Sequence, residues 1–134
     1  MATPRKPFTH GIESHDDRIV LRVGRRFVIL FLRDISWVEA DGNYIIVHAN
    51  AQSVRTRAPL AAVLETLGPS FAQVHRSAVV NLDHIVELFS EEHGDLLLVL
   101  RSGDRVKGSR QYRGQVHRFM TRGLPAVTAL SRTA

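Results

Sequence analysis

Val74 to Ile85 reads VHRSAVVNLDHI, placing a histidine, an arginine and a serine in consecutive positions ahead of an apolar triplet and an asparagine. A serine beside a histidine suggests acyl transfer. On an extended chain successive side chains point to opposite faces, so His75 and Ser77 share a side and Arg76 points away. Nothing nearby supplies an oxyanion hole or the strand-turn-helix elbow of a nucleophile, so no catalytic residue is assigned and the chain is not read as an enzyme. The seven histidines (His10, His15, His48, His75, His84, His93, His117) contain no H-x-x-x-H, and with no cysteine in the chain no metal site is expected. RVGRR and RSGDR carry glycine and arginine but no phosphate-cradling loop before a helix, so no nucleotide cofactor is expected.

What remains is three polar stations at turns: DGNY around Asn43, HRSAVVN around Arg76, and KGSRQYR around Arg110. Arginine can bond guanine O6 and N7 with both arms of its fork, and asparagine can pair with adenine. Gly, Asn and Ser also frequent ordinary turns for backbone reasons alone, so each station by itself is open to either reading.

The elements that position these stations are mostly strands. RIVLRV and RFVILF flank Gly24-Arg25 as a hairpin, ISWVEA (Ile35 to Ala40) and YIIVHA (Tyr44 to Ala49) flank DGN as another, and SVRTR follows. One short helix fits PLAAVLETLG, with Leu60, Val63, Leu64 and Leu67 on one face, Pro59 at its start and Gly68 at its end. FAQV, IVELF, DLLLVL and VKGSR continue the strands, and Tyr112 to Met120 allows a second short helix with Val116 and Phe119 inward. This predicts a mainly β domain of about ten short strands. Residues 1–17 read as a leader, 18–121 as the domain and 122–134 as a tail. Trp37, Val47, Val74, Val80 and Ile85 are the expected core.

With 134 residues a single domain with its own core is expected. The longest apolar run, Phe27 to Leu32, is far short of the ~20 residues of a membrane helix, and the N-terminal residues lack a secretory signal. A cytoplasmic protein without membrane contact is expected. Charge is uneven: Val79 to Leu100 holds five acids and no Lys or Arg, whereas Arg101 to Arg122 holds seven bases against Asp104 alone. Such a basic region suits a polyanion, most simply nucleic acid.

Taken together, ISWVEADGNYIIVH, LGPSFAQVHRSAVVNLDHI and VKGSRQYRGQV, in this order and spacing, resemble the LytTR family of bacterial DNA-binding domains, over about Arg18 to Arg118. The specific part of the signal is F-x-x-V-H-R-S-x-x-V-N followed by G-S-R-x-Y. The resemblance implies small stacked β-sheets with little helix, the output-domain role of response regulators in two-component systems, and sequence-specific binding of double-stranded DNA by loops placed in successive major grooves, usually on direct repeats. It places base contacts at Asn43, Tyr44, Arg76 and Arg110. His75, Ser77 and Ser109 would support the loops or touch phosphate, and Lys107, Arg113 and Arg118 would hold phosphates, which set register without reading sequence. Asn81 is expected to fix its turn through backbone bonds.

Most relatives of this kind carry a receiver domain ahead of the DNA-binding domain, and only seventeen residues precede the first expected strand here. The chain is therefore either free-standing or a piece of a longer regulator. With no heptads a free monomer is expected, and the resemblance implies that two copies meet on DNA as a dimer. The rival reading is a module of the same fold whose loop surface docks a partner regulator. The polar residues retained at all three stations favour DNA.

Overall fold

The computed structural model describes residues 11–122. Eleven strands form three antiparallel sheets, stacked so that the middle one is buried on both faces. The first sheet contains β1 (Ile12–His15), β2 (Arg18–Val23) and β3 (Arg26–Phe31) in chain order. The middle sheet is built from β4 (Ile35–Asp41), β5 (Tyr44–Ala49), β6 (Gln52–Arg57), β7 (Phe71–His75) and β8 (Ala78–Asn81), ordered β6-β5-β4-β8-β7. The third sheet comprises β9 (Ile85–Ser90), β10 (Leu96–Leu100) and β11 (Arg105–Gly108). Helix α1 (Leu60–Leu67) links β6 to β7, and α2 (Arg113–Thr121) follows β11.

Stacking explains the apolar triplet of the opening stretch. A sheet with one wet face alternates apolar and polar, but one covered on both faces does not. Val79 enters a core shared with Ile19, Leu21, Ile35, Val38, Ile45 and Val63. Its neighbours Ala78 and Val80 turn the other way, into a second core with Val74, Leu96, Leu98, Leu100 and Val116. Helix α1 buries Val63 and Leu67 and packs Leu60 and Leu64 against the first core, the face its spacing predicts.

The mainly β architecture with two short helices is as the sequence implies. Differences lie at the ends of the chain. The strands begin before Arg18, because Ile12–His15 pairs with β2, Ile12 opposite Leu21 and His15 opposite Arg18. Four residues with one apolar side chain carry little strand signal, and pairing supplies what propensity does not. In α2, Val116 is buried and Met120, four residues on, packs beside the second core. Phe119 is half-buried, lines a cleft with Phe71 and Leu82, and carries the Arg122 guanidinium 5.2 Å from its ring centre. Most of the expected leader and tail, 1–10 and 123–134, lies outside the described residues. Val47, Val74 and Val80 are buried as expected, while Trp37 and Ile85 are partly buried against the second core. Trp37 stacks on His48 with ring centres 4.7 Å apart, and the imidazole bonds Glu39 at 2.6 Å and Ser53 at 2.9 Å. No described helix is long and apolar enough to cross a membrane.

Candidate nucleic-acid interface

Register brings the three stations to one end of the middle sheet. β4 runs toward the turn Gly42-Asn43, whose glycine holds φ +61°. β4 also pairs with β8, Glu39 opposite Ala78, and the Ala40 N–H donates to the Ser77 carbonyl at 2.9 Å. The β4–β5 and β7–β8 turns therefore lie side by side, roughly 10 Å apart at ~4.8 Å per strand step. The third station joins through the Ser109 N–H, which donates to the Val74 carbonyl at 2.8 Å. Gly108 permits that approach: a Cβ there would meet Leu98 Cδ1 at 3.0 Å and the Val74 carbonyl oxygen at 3.4 Å.

At the central turn Arg76 is exposed. His75 and Ser77 are half-buried and bonded to each other, His75 Nδ1 to Ser77 Oγ at 2.9 Å, with the Ser77 N–H donating to the same ring nitrogen at 3.2 Å. The pair closes the turn beneath Arg76. Asn81 is 3% exposed and serves both neighbouring turns. Its Nδ2 donates to the Ile35 carbonyl at 2.9 Å, and its Oδ1 accepts from the Asp83 N–H at 3.0 Å, capping the single 3-10 turn that follows. The backbone role expected of Asn81 is the one it has.

Arg110 is exposed on the 3-10 turn that leads into α2. It is braced from the β9–β10 loop: its N–H donates to Asp95 Oδ1 at 3.0 Å, and Arg113 donates to the Gly94 carbonyl at 3.2 Å. Gly94 holds φ +85°, and a Cβ there would lie 3.2 Å from Arg110 Cβ. Gly94→Ala is therefore expected to destabilise the fold by about 1–2 kcal/mol through the left-handed backbone alone, and also to displace Arg110 and weaken DNA binding. Gly103→Ala, equally left-handed at φ +93° but with nothing within 4 Å, should lose stability with little change in binding. Thermal unfolding and duplex titration of both variants check this; equal binding losses would show that the Gly94 loop does not hold Arg110.

Placement separates the remaining expected residues. Lys107 is exposed on the outer face of the third sheet, one residue before Gly108, and Arg113 is exposed at the start of α2. Both lie near Arg110. Arg118 does not: it lines a cleft with Pro69, Phe71 and Leu82, at the end of β7 opposite the Arg76 turn. Asn43 is exposed, whereas Tyr44 is half-buried with the Arg55 guanidinium 3.9 Å and the Arg57 guanidinium 5.9 Å from its ring centre. Arg55 also pairs with Asp41 at 3.1 Å. Arg55 and Arg57 were not among the expected site residues, nor was Asp95. The signal for the arginines was present in QSVRTR, where Val54 and Thr56 are buried and the two arginines alternate outward. Among the described residues, no group of three or more His, Cys, Asp or Glu side chains is arranged to hold a metal.

The fold is similar to that of a LytTr DNA-binding domain from Bacillus cereus. The TM-score is 0.65 at 26% identity, covering 73% of this chain and 91% of that one. Residues 25–121 match the LytTr DNA-binding domain model, and the chain belongs to the LytTR family. It is 26% identical over 104 residues to the sensory transduction protein LytT of Bacillus subtilis, covering 77% of this chain and 43% of that protein. It is also 26% identical over 122 residues to the positive alginate biosynthesis regulatory protein of Pseudomonas aeruginosa, covering 90% of this chain and 49% of that one. The chain thus spans about half the length of these relatives.

Proposed function

We propose that this domain is the sequence-reading part of a transcription regulator, binding double-stranded DNA through the three turns at one end of the middle sheet. The observation that carries the reading is their convergence: Asn43, Arg76 and Arg110 are all exposed there, on turns anchored to a sheet that is buried on both faces. Arg76 and Arg110 read base edges, and Asn43 reads or positions at the β4–β5 turn. Tyr44, engaged by Arg55, orders the arginines of β6. Lys107 and Arg113 neutralise phosphates beside Arg110. His75, Ser77 and Ser109 hold the turns. Three separate turns in a row suit loops entering successive grooves with a backbone between them. The names of the two relatives, a sensory transduction protein and a regulatory protein, favour a role in signal-controlled transcription.

Selection of bound duplexes from a random pool tests the reading: one motif should emerge, in direct repeats bound by two copies. Affinity for it should fall steeply with salt, log K changing by about −0.9 per phosphate contact against log salt. Shifting one half-site by ~5 bp, half a helical turn, should abolish joint binding. A pool that yields no motif, with affinity flat in salt, would instead favour a module that docks a partner protein.

A further inference from the structure

β3 is the outermost strand of the first sheet and β9 the outermost strand of the third, and no described strand lies beyond either. Such edges are usually blunted with lysine, proline or inward charge, because an outermost strand offers its backbone to other chains. Here Phe27 to Leu32 carries no charge and no proline, and β9 carries only Glu87. Among the described residues, the exposed large apolar side chains all belong to these two strands: Phe27 and Ile29 on β3, Val86 and Phe89 on β9. The two strips differ in charge. Residues 25–33 hold Arg25, Arg26 and Arg33 and no acid, whereas residues 85–92 hold Glu87, Glu91 and Glu92 and no Lys or Arg, and all six side chains are exposed.

We infer that the β3 edge of one copy pairs with the β9 edge of a second copy of this chain. Alternation fits an antiparallel pairing with Ile29 opposite Phe89. Leu30 packs into the first core and Leu88 beside the second, so these two fall opposite each other and the exposed side chains stay together on the other face. Glu87 then meets Phe31, whose ring already carries the Arg18 guanidinium at 5.0 Å and that of Arg33 at 4.7 Å. A contact of like with like would instead set arginines against arginines or glutamates against glutamates, which is unfavourable across paired strands. The two strips belong to sheets on opposite faces of the middle sheet, so they cannot meet within one chain. Contact between unlike surfaces lets copies follow one another head to tail, as sites in direct repeat require. Where the contact acts rests on the reading above, that two copies bind one duplex. Two six-residue strands offer less than the roughly 1,200–2,000 Å² of a stable complex. The free chain should therefore stay monomeric, with the pairing felt once DNA raises the local concentration toward the millimolar range.

The experiment uses the whole chain, which contains no cysteine of its own. Ile29→Cys and Phe89→Cys are made separately, mixed, and oxidised on a duplex carrying two copies of the selected motif. Residues opposite each other on paired strands stand ~5 Å apart at Cβ, so the mixed 29–89 disulfide should exceed either self-pair about tenfold. A second arm reverses charge. Arg33→Glu and Glu87→Arg should each lower the cooperativity between two sites about fivefold, measured against a duplex with one site. The double variant, Arg33→Glu with Glu87→Arg, should regain it, which a merely structural role for either residue would not allow. Circular dichroism and thermal melts confirm that each variant remains folded. Equal yields of the three disulfides, or charge variants that match the parent, overturn the inference. Should no motif be selected, the DNA reading fails by itself, and oxidation of the mixed variants without DNA at about 1 mM, the concentration that two neighbouring sites supply, decides the contact. A preferred 29–89 product then keeps it and equal yields remove it.

Discussion

Arg76→Ala and Arg110→Ala should each weaken binding to the selected duplex by about 1–3 kcal/mol and relax preference at one base pair. The size follows from what is lost: an exposed fork on a rigid turn can make two bonds to one guanine edge, and alanine makes none. Neither guanidinium anchors the fold through any described bond. The backbone of Arg110 is bonded to Asp95, a contact alanine keeps. The variants should therefore melt close to the parent while losing discrimination. Arg113→Ala should differ in kind, weakening every duplex about equally and lowering the salt slope by about one unit. Arg118→Ala supplies the internal control, because its cleft lies at the opposite end of β7. Titration against the selected duplex and its single-base variants checks all four. A uniform loss for Arg76→Ala would make that residue a phosphate clamp, and a large loss for Arg118→Ala would show that the footprint reaches the far end of the sheet.

The largest expected effect on stability comes from Asn81→Ala. The side chain is buried, donates to the Ile35 carbonyl and accepts from the Asp83 N–H. Alanine leaves both backbone groups without those partners, each costing about 1–3 kcal/mol when buried. A loss of roughly 2–4 kcal/mol is expected, since water can reach part of the turn. That corresponds to a fall in Tm on the order of 10 °C for a domain of this size. Asn81→Asp should recover part of it, because a carboxylate still accepts from the Asp83 N–H but offers nothing to Ile35. Denaturant and thermal melts decide the matter: an unchanged midpoint for Asn81→Ala would mean that the bonds contribute nothing net.

The same stretch shows where a sequence is informative. Strand alternation, turn residues and the spacing of α1 are local properties, and each of those elements forms as its pattern predicts. The outward placement of Arg76 and the backbone bonds of Asn81 were also legible, because neighbouring side chains on a strand point apart and asparagine readily bonds turn backbone. The position of Arg118 was not, nor was the meeting of the outward β6 arginines with Tyr44. Which end of β7 receives α2 depends on the Ser109–Val74 bond, a contact 35 residues apart in sequence that no local pattern encodes. Tyr44 meets Arg57 because the β5–β6 turn fixes that register, and a shift of one residue would have turned both arginines inward. β1 is invisible for the related reason that its strand character is conferred by β2.

The pairing of β4 with β8 has a consequence for how the protein comes off the ribosome. Glu39 must find Ala78, yet α1 and three strands are synthesised between them. The hairpins of the first sheet need only near neighbours and can close while the chain is still short. β4 keeps one bare edge until residues 78–81 have emerged. Contacts that wait on distant partners are the slow ones, so joining these two strands should set the pace of folding. Their amides, enclosed between the two cores, should then be the last to exchange with solvent once the chain is complete.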